Sequence, residues 1–240
     1  RLDGAATDVT GQHDGINNGA LFSLGRFGDH SGGGAFDGVN DSVLLLNGNP
    51  YLELEDYTIE LWFRMDSVNG NNLQGRSVLF DGGDSPGSSA AKLYVDAQTE
   101  GFEIRHALNA GDTHEEISLV PGSIGNWHHV AVCRRSGELL LFFDGLPYQF
   151  GPGNHSHPTA LDALIPFFQV PGALGSMPGS GCSSGKCFHL NGAIDEAIIH
   201  NVAKTPDYIY HRARPGLPTV RFLANTVVEN QATDEAPAYP

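Results

Sequence analysis

An all-β antiparallel sandwich with one short helix near its C-terminal end is the fold that this 240-residue sequence predicts. Residues Tyr57 to Asp66 (YTIELWFRMD) alternate apolar and polar side chains with period two, Trp62 being the single exception; that is the pattern of a half-buried strand. Short strand-like runs recur between the turn signals Asp37-Gly38, Asp81-Gly82-Gly83, Ser136-Gly137 and Asp144-Gly145, a spacing typical of antiparallel sandwiches. Gly 31 and Pro 14 together approach a fifth of the chain, while apolar residues make up 40%. The chain is therefore rich in turns and still has side chains enough for a core.

Besides 57–66, the predicted strands are Ser42 to Leu46, Ser77 to Phe80, Lys92 to Val95, Phe102 to Ala107, Trp127 to Arg134, Glu138 to Asp144 and Phe188 to His200. Leu139 to Phe143 is apolar on both faces, which predicts a central strand between two covering layers. One helix is predicted, Thr205 to Arg214: Thr205 can cap it, Pro206 suits its first turn and Pro215 stops it. Residues 149–187 are rich in Gly, Pro and Ser, a long excursion broken by the apolar run Ala163 to Val170. A single domain is predicted over residues 1–216. Residues 217–240 form an extension, in which Thr219 to Val228 is strand-like and Glu229 to Pro240 has the composition of a linker or tail.

Lys+Arg 13 against Asp+Glu 28 gives a formal net charge of −15. A nucleic-acid backbone or an anionic membrane would be repelled, so neither is expected as a partner. Acidity of this degree suits solvation in salt, and it also suits calcium, whose ligands are carboxylates and carbonyls. No run of eighteen apolar residues exists, so membrane insertion is not expected. The start at Arg1-Leu2-Asp3-Gly4, without a signal-peptide core, suggests a segment processed from a longer precursor.

Three cysteines are present. Cys182 and Cys187 flank Ser-Ser-Gly-Lys in a small-residue loop that can close into a disulfide, worth about 2 kcal/mol on a loop-entropy basis. Two free thiols or half a metal site are the alternatives, although no second cysteine pair is there to complete a zinc site. Cys133 lies in a strand pattern and is expected to be a buried free thiol. A Cys182–Cys187 bridge would imply an oxidising compartment, secreted or at the cell surface.

Five segments carry a resemblance, in order along the chain. They are Asp8-Val9-Thr10-Gly11-Gln12-His13-Asp14-Gly15; Gly34-Ala35-Phe36-Asp37-Gly38-Val39-Asn40-Asp41-Ser42-Val43; the 57–66 strand with Trp62; the pair Trp127-His128-His129-Val130-Ala131-Val132 and Leu141-Phe142-Phe143-Asp144-Gly145; and Leu190-Asn191-Gly192-Ala193-Ile194-Asp195-Glu196-Ala197-Ile198-Ile199. Together they resemble laminin-G-like domains of the concanavalin A-like lectin/glucanase superfamily. That resemblance implies a two-sheet antiparallel jelly roll whose first and penultimate segments lie close together. It also implies a structural calcium, with Asp8 and Asp195 as carboxylate ligands and carbonyls of the Gly11 to Asp14 loop, including Gly11, Gln12 and Asp14, completing the shell. Alternatively, Asp8 caps a turn and Asp195 accepts backbone hydrogen bonds.

No catalytic constellation is evident. Strict alternation in the last segment would place Asp195 with His189, Asn191 and Ala193, and Glu196 on the opposite face with Leu190 and Ile194. The remaining acidic run, Glu53-Leu54-Glu55-Asp56 with Glu60, lacks the same-face spacing that glycoside hydrolysis requires. His128 and His129 point to opposite faces, and His155-Ser156-His157 has no third ligand. Trp62, among polar neighbours, either stacks on a sugar or is covered by other parts of the fold. Asn40-Asp41-Ser42 and Asn154-His155-Ser156 match the glycosylation acceptor, the first being explained equally by a turn.

The expected function is a non-catalytic extracellular binding or adhesion module for carbohydrate or a surface glycoprotein, steadied by calcium. The alternative is a structural subunit, forming a homo-oligomer or larger surface assembly, whose tail at 217–240 pairs with a neighbour's sheet edge. A glycan hydrolase or lyase is the remaining reading.

Overall fold

The computed structural model describes residues 5–7, 14–28, 32–45, 52–68, 76–83, 91–107, 115–151, 165–167, 171–177 and 188–214. The strands are β1 (Gly15–Asn18), β2 (Leu21–Ser23), β3 (Gly33–Asp37), β4 (Ser42–Leu45), β5 (Leu52–Leu54), β6 (Tyr57–Met65), β7 (Arg76–Asp81) and β8 (Lys92–Gln98). They continue as β9 (Gly101–Ala107), β10 (Glu115–Val120), β11 (Trp127–Arg135), β12 (Glu138–Phe143), β13 (Leu146–Tyr148), β14 (Ile165–Phe167), β15 (Gly172–Leu174) and β16 (Asn191–His200), before the helix α1 (Pro206–Arg212). Two seven-stranded antiparallel sheets result, a first in the order β1-β4-β15-β7-β8-β9-β10 and a second in the order β13-β12-β11-β6-β16-β3-β2; β14 and β5 form a separate ribbon. This is the expected jelly-roll sandwich; β16 pairs with β3, so the last of the five motif segments lies beside the second, while most of the first, residues 8–13, lies outside the described residues.

Alternation in β6 drives the packing. Tyr57, Ile59, Leu61, Phe63 and Met65 all point between the sheets and are at most 1% exposed, each burial stabilising by about 1.5–3 kcal/mol. Leu93 and Val95 of β8, Phe102 and Ile104 of β9, and Val130 and Val132 of β11 complete the same core. β12 is covered on both faces as expected: Leu141 and Phe143 enter the main core, while Phe142 packs with Ala131, Cys133 and Ile209 of α1. Its position differs from the expectation, second from the sheet edge with only β13 beyond it; the second layer over it is the helix.

Two hairpins explain why the motif pairs recur together. Ser136-Gly137 (φ 48 and 81) and Asp144-Gly145 (φ 49 and 79) close two-residue turns with both residues left-handed, the geometry that matches strand twist. The Asp144 carboxylate then accepts hydrogen bonds from the His129 backbone N–H (2.8 Å) and His128 Nδ1 (2.9 Å). The Trp-His-His and Asp-Gly segments are thus halves of one brace. His128 turns inward, its ring against Phe63, Phe102 and Phe143, and His129 turns outward beside Trp62. Asp37 is likewise a turn former, its Oδ1 accepting from the N–H groups of Val39 (2.7 Å) and Asn40 (3.2 Å).

The helix is capped as its sequence requires: Thr205 Oγ1 accepts from Tyr208 N, and Pro206 occupies the first turn. Cys133 is a free buried thiol, as expected. Cys182 and Cys187, most of the 149–187 excursion, Asn154 to His157 and the 217–240 extension lie outside the described residues.

Candidate functional site

The outer face of the second sheet is built in rows, because residues opposite one another on neighbouring strands share a face. The row nearest the helix has Cys133 opposite Thr58, and Thr58 opposite His200. In the next, Ala131 faces Glu60 and Glu60 faces Ile198. Beyond them, His129 faces Trp62 and Trp62 faces Asp195; the last row is Trp127, Arg64, Ala193, Ala35 and Leu21. α1 covers the first two rows. Thr58 Oγ1 donates to the Val202 carbonyl (3.0 Å) and accepts from Lys204 N (2.8 Å), fixing the approach to the helix.

Glu60 anchors the helix electrostatically. Its side chain is 0% exposed, and Oε1 accepts from His200 Nε2 at 3.0 Å and from the Tyr208 hydroxyl at 3.1 Å. His129 Nε2 approaches the other oxygen at 3.5 Å, and Arg212 Nε lies 3.6 Å from Oε1. Burial opposes ionisation of this carboxyl, but the close imidazoles of His129 and His200 and the charge of Arg212 outweigh it and hold Glu60 well below the usual carboxylate range. The Tyr208 hydroxyl is pushed the other way, to about 12, by burial and the Glu60 charge.

The third row is covered by the turn after β2. Arg26 lies over the Trp62 ring at 4.2 Å and over Phe27 at 3.9 Å, leaving Trp62 only 4% exposed. Trp62 is therefore covered by the fold. Arg26 Nη2 donates to Glu196 Oε2 (2.6 Å), while its backbone N–H donates to Asp195 Oδ2 (3.1 Å). Strict alternation fails here: a bulge lies between Asp195 and Ile198, with Glu196 at φ 47. One inserted residue returns Glu196 to the Asp195 face, so both carboxylates reach Arg26. Arg212 adds a second guanidinium to Glu196 at 3.2 Å, linking this clamp to the Glu60 anchor.

Asp195, implied as a calcium ligand, thus accepts from the backbone of Arg26, with a guanidinium beside it. Asp14 is described; Asp8, Gly11 and Gln12 lie outside the described residues. Among the described residues no group of three or more His, Cys, Asp or Glu side chains could hold a metal ion.

A second charged cluster lies on the outer face of the first sheet. Asp96 of β8 is flanked by its cross-strand neighbours Arg76 and Glu103, with Arg105 Nε 3.1 Å and Arg76 Nε 3.8 Å from its Oδ2. Arg105 also pairs with Glu103. Asp96 is 2% exposed, and its burial pushes the carboxyl up to about 6 despite both guanidinium groups. Tyr94, Val78 and Ala107 adjoin it under Phe188 and Met177. Sequence reading passed over this cluster because its members come one or two at a time from three strands, with no spacing to mark them.

Inside the sandwich, alternation turns Arg134 inward with Val130 and Val132, where it is 0% exposed and donates to the carbonyls of Leu54 and Glu55. Beside it, His106 Nδ1 donates to the Lys92 carbonyl (2.9 Å), leaving Nε2 to accept from the Tyr57 hydroxyl (2.7 Å). Of the acidic run whose spacing argues against glycoside hydrolysis, Glu53 is in the β5 ribbon, Glu55 is in an exposed turn and Glu60 is under the helix. The fold does not bring them together.

A two-sheet jelly roll with a helix locked across one outer face defines the class. The chain belongs to the concanavalin A-like lectin/glucanases superfamily, whose laminin G model matches residues 36–210. Among solved structures it is similar to domain 4 of AbnA, a GH43 extracellular arabinanase from Geobacillus stearothermophilus in complex with arabinotriose (TM-score 0.60, 16% identity, 88% of this chain and 94% of that one). It is also similar to the heptameric SAP-like pentraxin of Limulus polyphemus (0.51, 14%, 75% and 80%) and to the binding domain of botulinum neurotoxin serotype D (0.60, 10%, 86% and 47%). Among curated proteins none matches in sequence. No helix among the described residues is long and apolar enough to cross a membrane.

Proposed function

We propose that the chain is an extracellular, non-catalytic carbohydrate-binding module. The observation that carries this reading is that three carboxylates on the outer sheet faces, two buried and one half-buried, are already engaged: Glu60 by two imidazoles and Arg212, Glu196 by Arg26 and Arg212, and Asp96 by Arg76 and Arg105. Glycoside hydrolysis needs one carboxyl group to donate a proton and a second to act as base or nucleophile across an open site; carboxylates locked in ion pairs serve to hold a rigid frame. The family and the arabinotriose complex of the similar arabinanase domain support sugar as the ligand class. Neutral trisaccharides (arabinotriose, xylotriose and cellotriose) are expected to bind saturably by calorimetry, without turnover on prolonged incubation. Absence of binding to a broad glycan array would sink the reading.

Glycan hydrolysis keeps one observation in its favour, the elevated Asp96 carboxyl opposite Glu103. It requires turnover that Asp96→Asn abolishes.

In this reading Arg26 supplies the positive charge at the Ile194-Asp195-Glu196 segment, and a calcium ion in the 8–14 loop would reinforce that clamp without replacing it. Chelation is expected to lower the melting temperature less than Arg26→Ala does. A large chelator-induced drop in the intact chain would assign the role to calcium instead.

A further inference from the structure

Only two tryptophans occur in the chain, and the fold treats them oppositely. Trp62 is sealed under Arg26. Trp127, one row further out, is part-exposed, because α1 and the Arg26-Phe27 turn cover only the rows before it. Its Cη2 edge packs close to Gly33, where a Cβ would sit 3.5 Å away, and this fixes the ring without enclosing it.

Arg64, its partner across the strand, lies with Cζ 5.4 Å from the indole centroid. Arg64 is also bound in two-point fashion to Asp66, Nε to Oδ1 at 2.6 Å and Nη2 to Oδ2 at 2.9 Å. Asp66 N–H donates to the Asn191 carbonyl, tying the pair to the start of β16. Both ends of the pair reach solvent, the side chains being 27% and 41% exposed. The Asp66 hydrogen bond raises the Arg64 pKa further, so the guanidinium stays charged.

We propose that Trp127 with the Arg64–Asp66 pair forms the carbohydrate-binding subsite of this module, and that its ligand is a neutral sugar. Arg64 lies over one face of the indole; the opposite face of the part-exposed ring offers apolar area to the C–H face of a pyranose or furanose ring at little entropic cost. Beside it, a planar donor array and a carboxylate acceptor are preset for hydroxyl groups. An anionic sugar is disfavoured twice: Asp66 already neutralises Arg64, and the chain carries a formal charge of −15. The subsite rests on the binding reading above and locates it on the outer face of the second sheet.

The test uses the same neutral trisaccharides against the full chain, with binding followed by calorimetry and by tryptophan emission. Trp62 is shielded, so a ligand-induced change in emission is expected to come from Trp127 and to vanish in Trp127→Phe. Trp127→Ala is expected to weaken binding at least about tenfold, and Asp66→Asn and Arg64→Ala to weaken it likewise. If Trp127→Ala proves misfolded by circular dichroism, the Phe and Asn variants carry the test. Sugar binding by the intact chain that all these substitutions leave unchanged overturns the subsite alone; no binding by the intact chain overturns the binding reading and the subsite with it.

Discussion

Replacing Glu60 by Ala is expected to destabilise the protein by about 3–5 kcal/mol, the range for removing one member of a buried ionic cluster. The loss exceeds that of a salt bridge because of what stays behind. His129, His200 and Arg212 would face one another around a cavity, and the Tyr208 hydroxyl would lose its acceptor. Glu60→Gln should cost less, since an amide oxygen still accepts from Tyr208, but it removes the charge that Arg212 and the imidazoles face. The damage should concentrate on the helix: amide exchange at Ile209 and Ala213, whose N–H groups bond within α1, should accelerate before the strand amides do. Linkage gives a second signature. Glu60 titrates lower folded than unfolded, so its contribution is present above the ordinary value of 4.5 and is lost as pH falls through the folded value. Urea unfolding at pH 7 and pH 4 should therefore show a smaller acid loss in Glu60→Gln than in the parent. A Glu60→Ala protein within about 1 kcal/mol of the parent would mean that the helix is held by Ile209 packing and not by the ionic cluster.

The long, two-faced strands were legible because each repeats its pattern often enough to be counted: β6 is displaced from its predicted bounds by one residue, and β11 by one. Strands β1, β2, β3, β5, β10, β13, β14 and β15 were not. Gly33-Gly34-Ala35-Phe36 has neither β-branched residues nor a clear alternation, and it is a strand because β16 and β2 flank it. Residue type also hid the interior charges. Arg134 ends an apolar run at a position where alternation points inward, and the carbonyls of Leu54 and Glu55, which accept from its guanidinium, give it a reason to be there. The motif residues Trp62, His129, Asp195 and Glu196 were visible as a set, but their task was not. They form a continuous support for the helix and the Arg26 turn, and the link between them runs through Arg26 and Arg212, which belong to no motif. The bulge at Glu196 depends on a single left-handed residue that alternation has no means to signal.

Between pH 6.5 and pH 4, two buried groups on different elements should nearly cancel, and single substitutions should unmask each. His106 is fully buried with Nε2 accepting from Tyr57, and burial, reinforced by the charge of Arg134, lowers it from 6.5 to about 4 despite the Lys92 carbonyl. The unfolded chain takes up a proton in that window and the folded chain does not, so His106 contributes stability that is complete above 6.5 and is lost as pH falls toward 4. Asp96 runs the other way. Raised from 3.8 to about 6, it is protonated in the folded chain first, and its contribution is complete below 3.8 and lost as pH rises through 6. Each swing is on the order of 3 kcal/mol, with opposite sign over nearly the same interval. The intact protein should therefore show a flat stability profile from pH 6.5 to about 4.5, below which the Glu60 loss begins. His106→Asn should gain stability on acidification through that interval, because the Asp96 swing is then no longer offset by that of His106, and Asp96→Asn should lose it steeply. The slopes carry the result, so a lower absolute stability in either variant does not obscure it. Parallel profiles for all three proteins would show that neither group titrates differently on folding, and the buried Tyr57–His106 bond would then have to survive protonation of the imidazole, which its acceptor nitrogen does not permit.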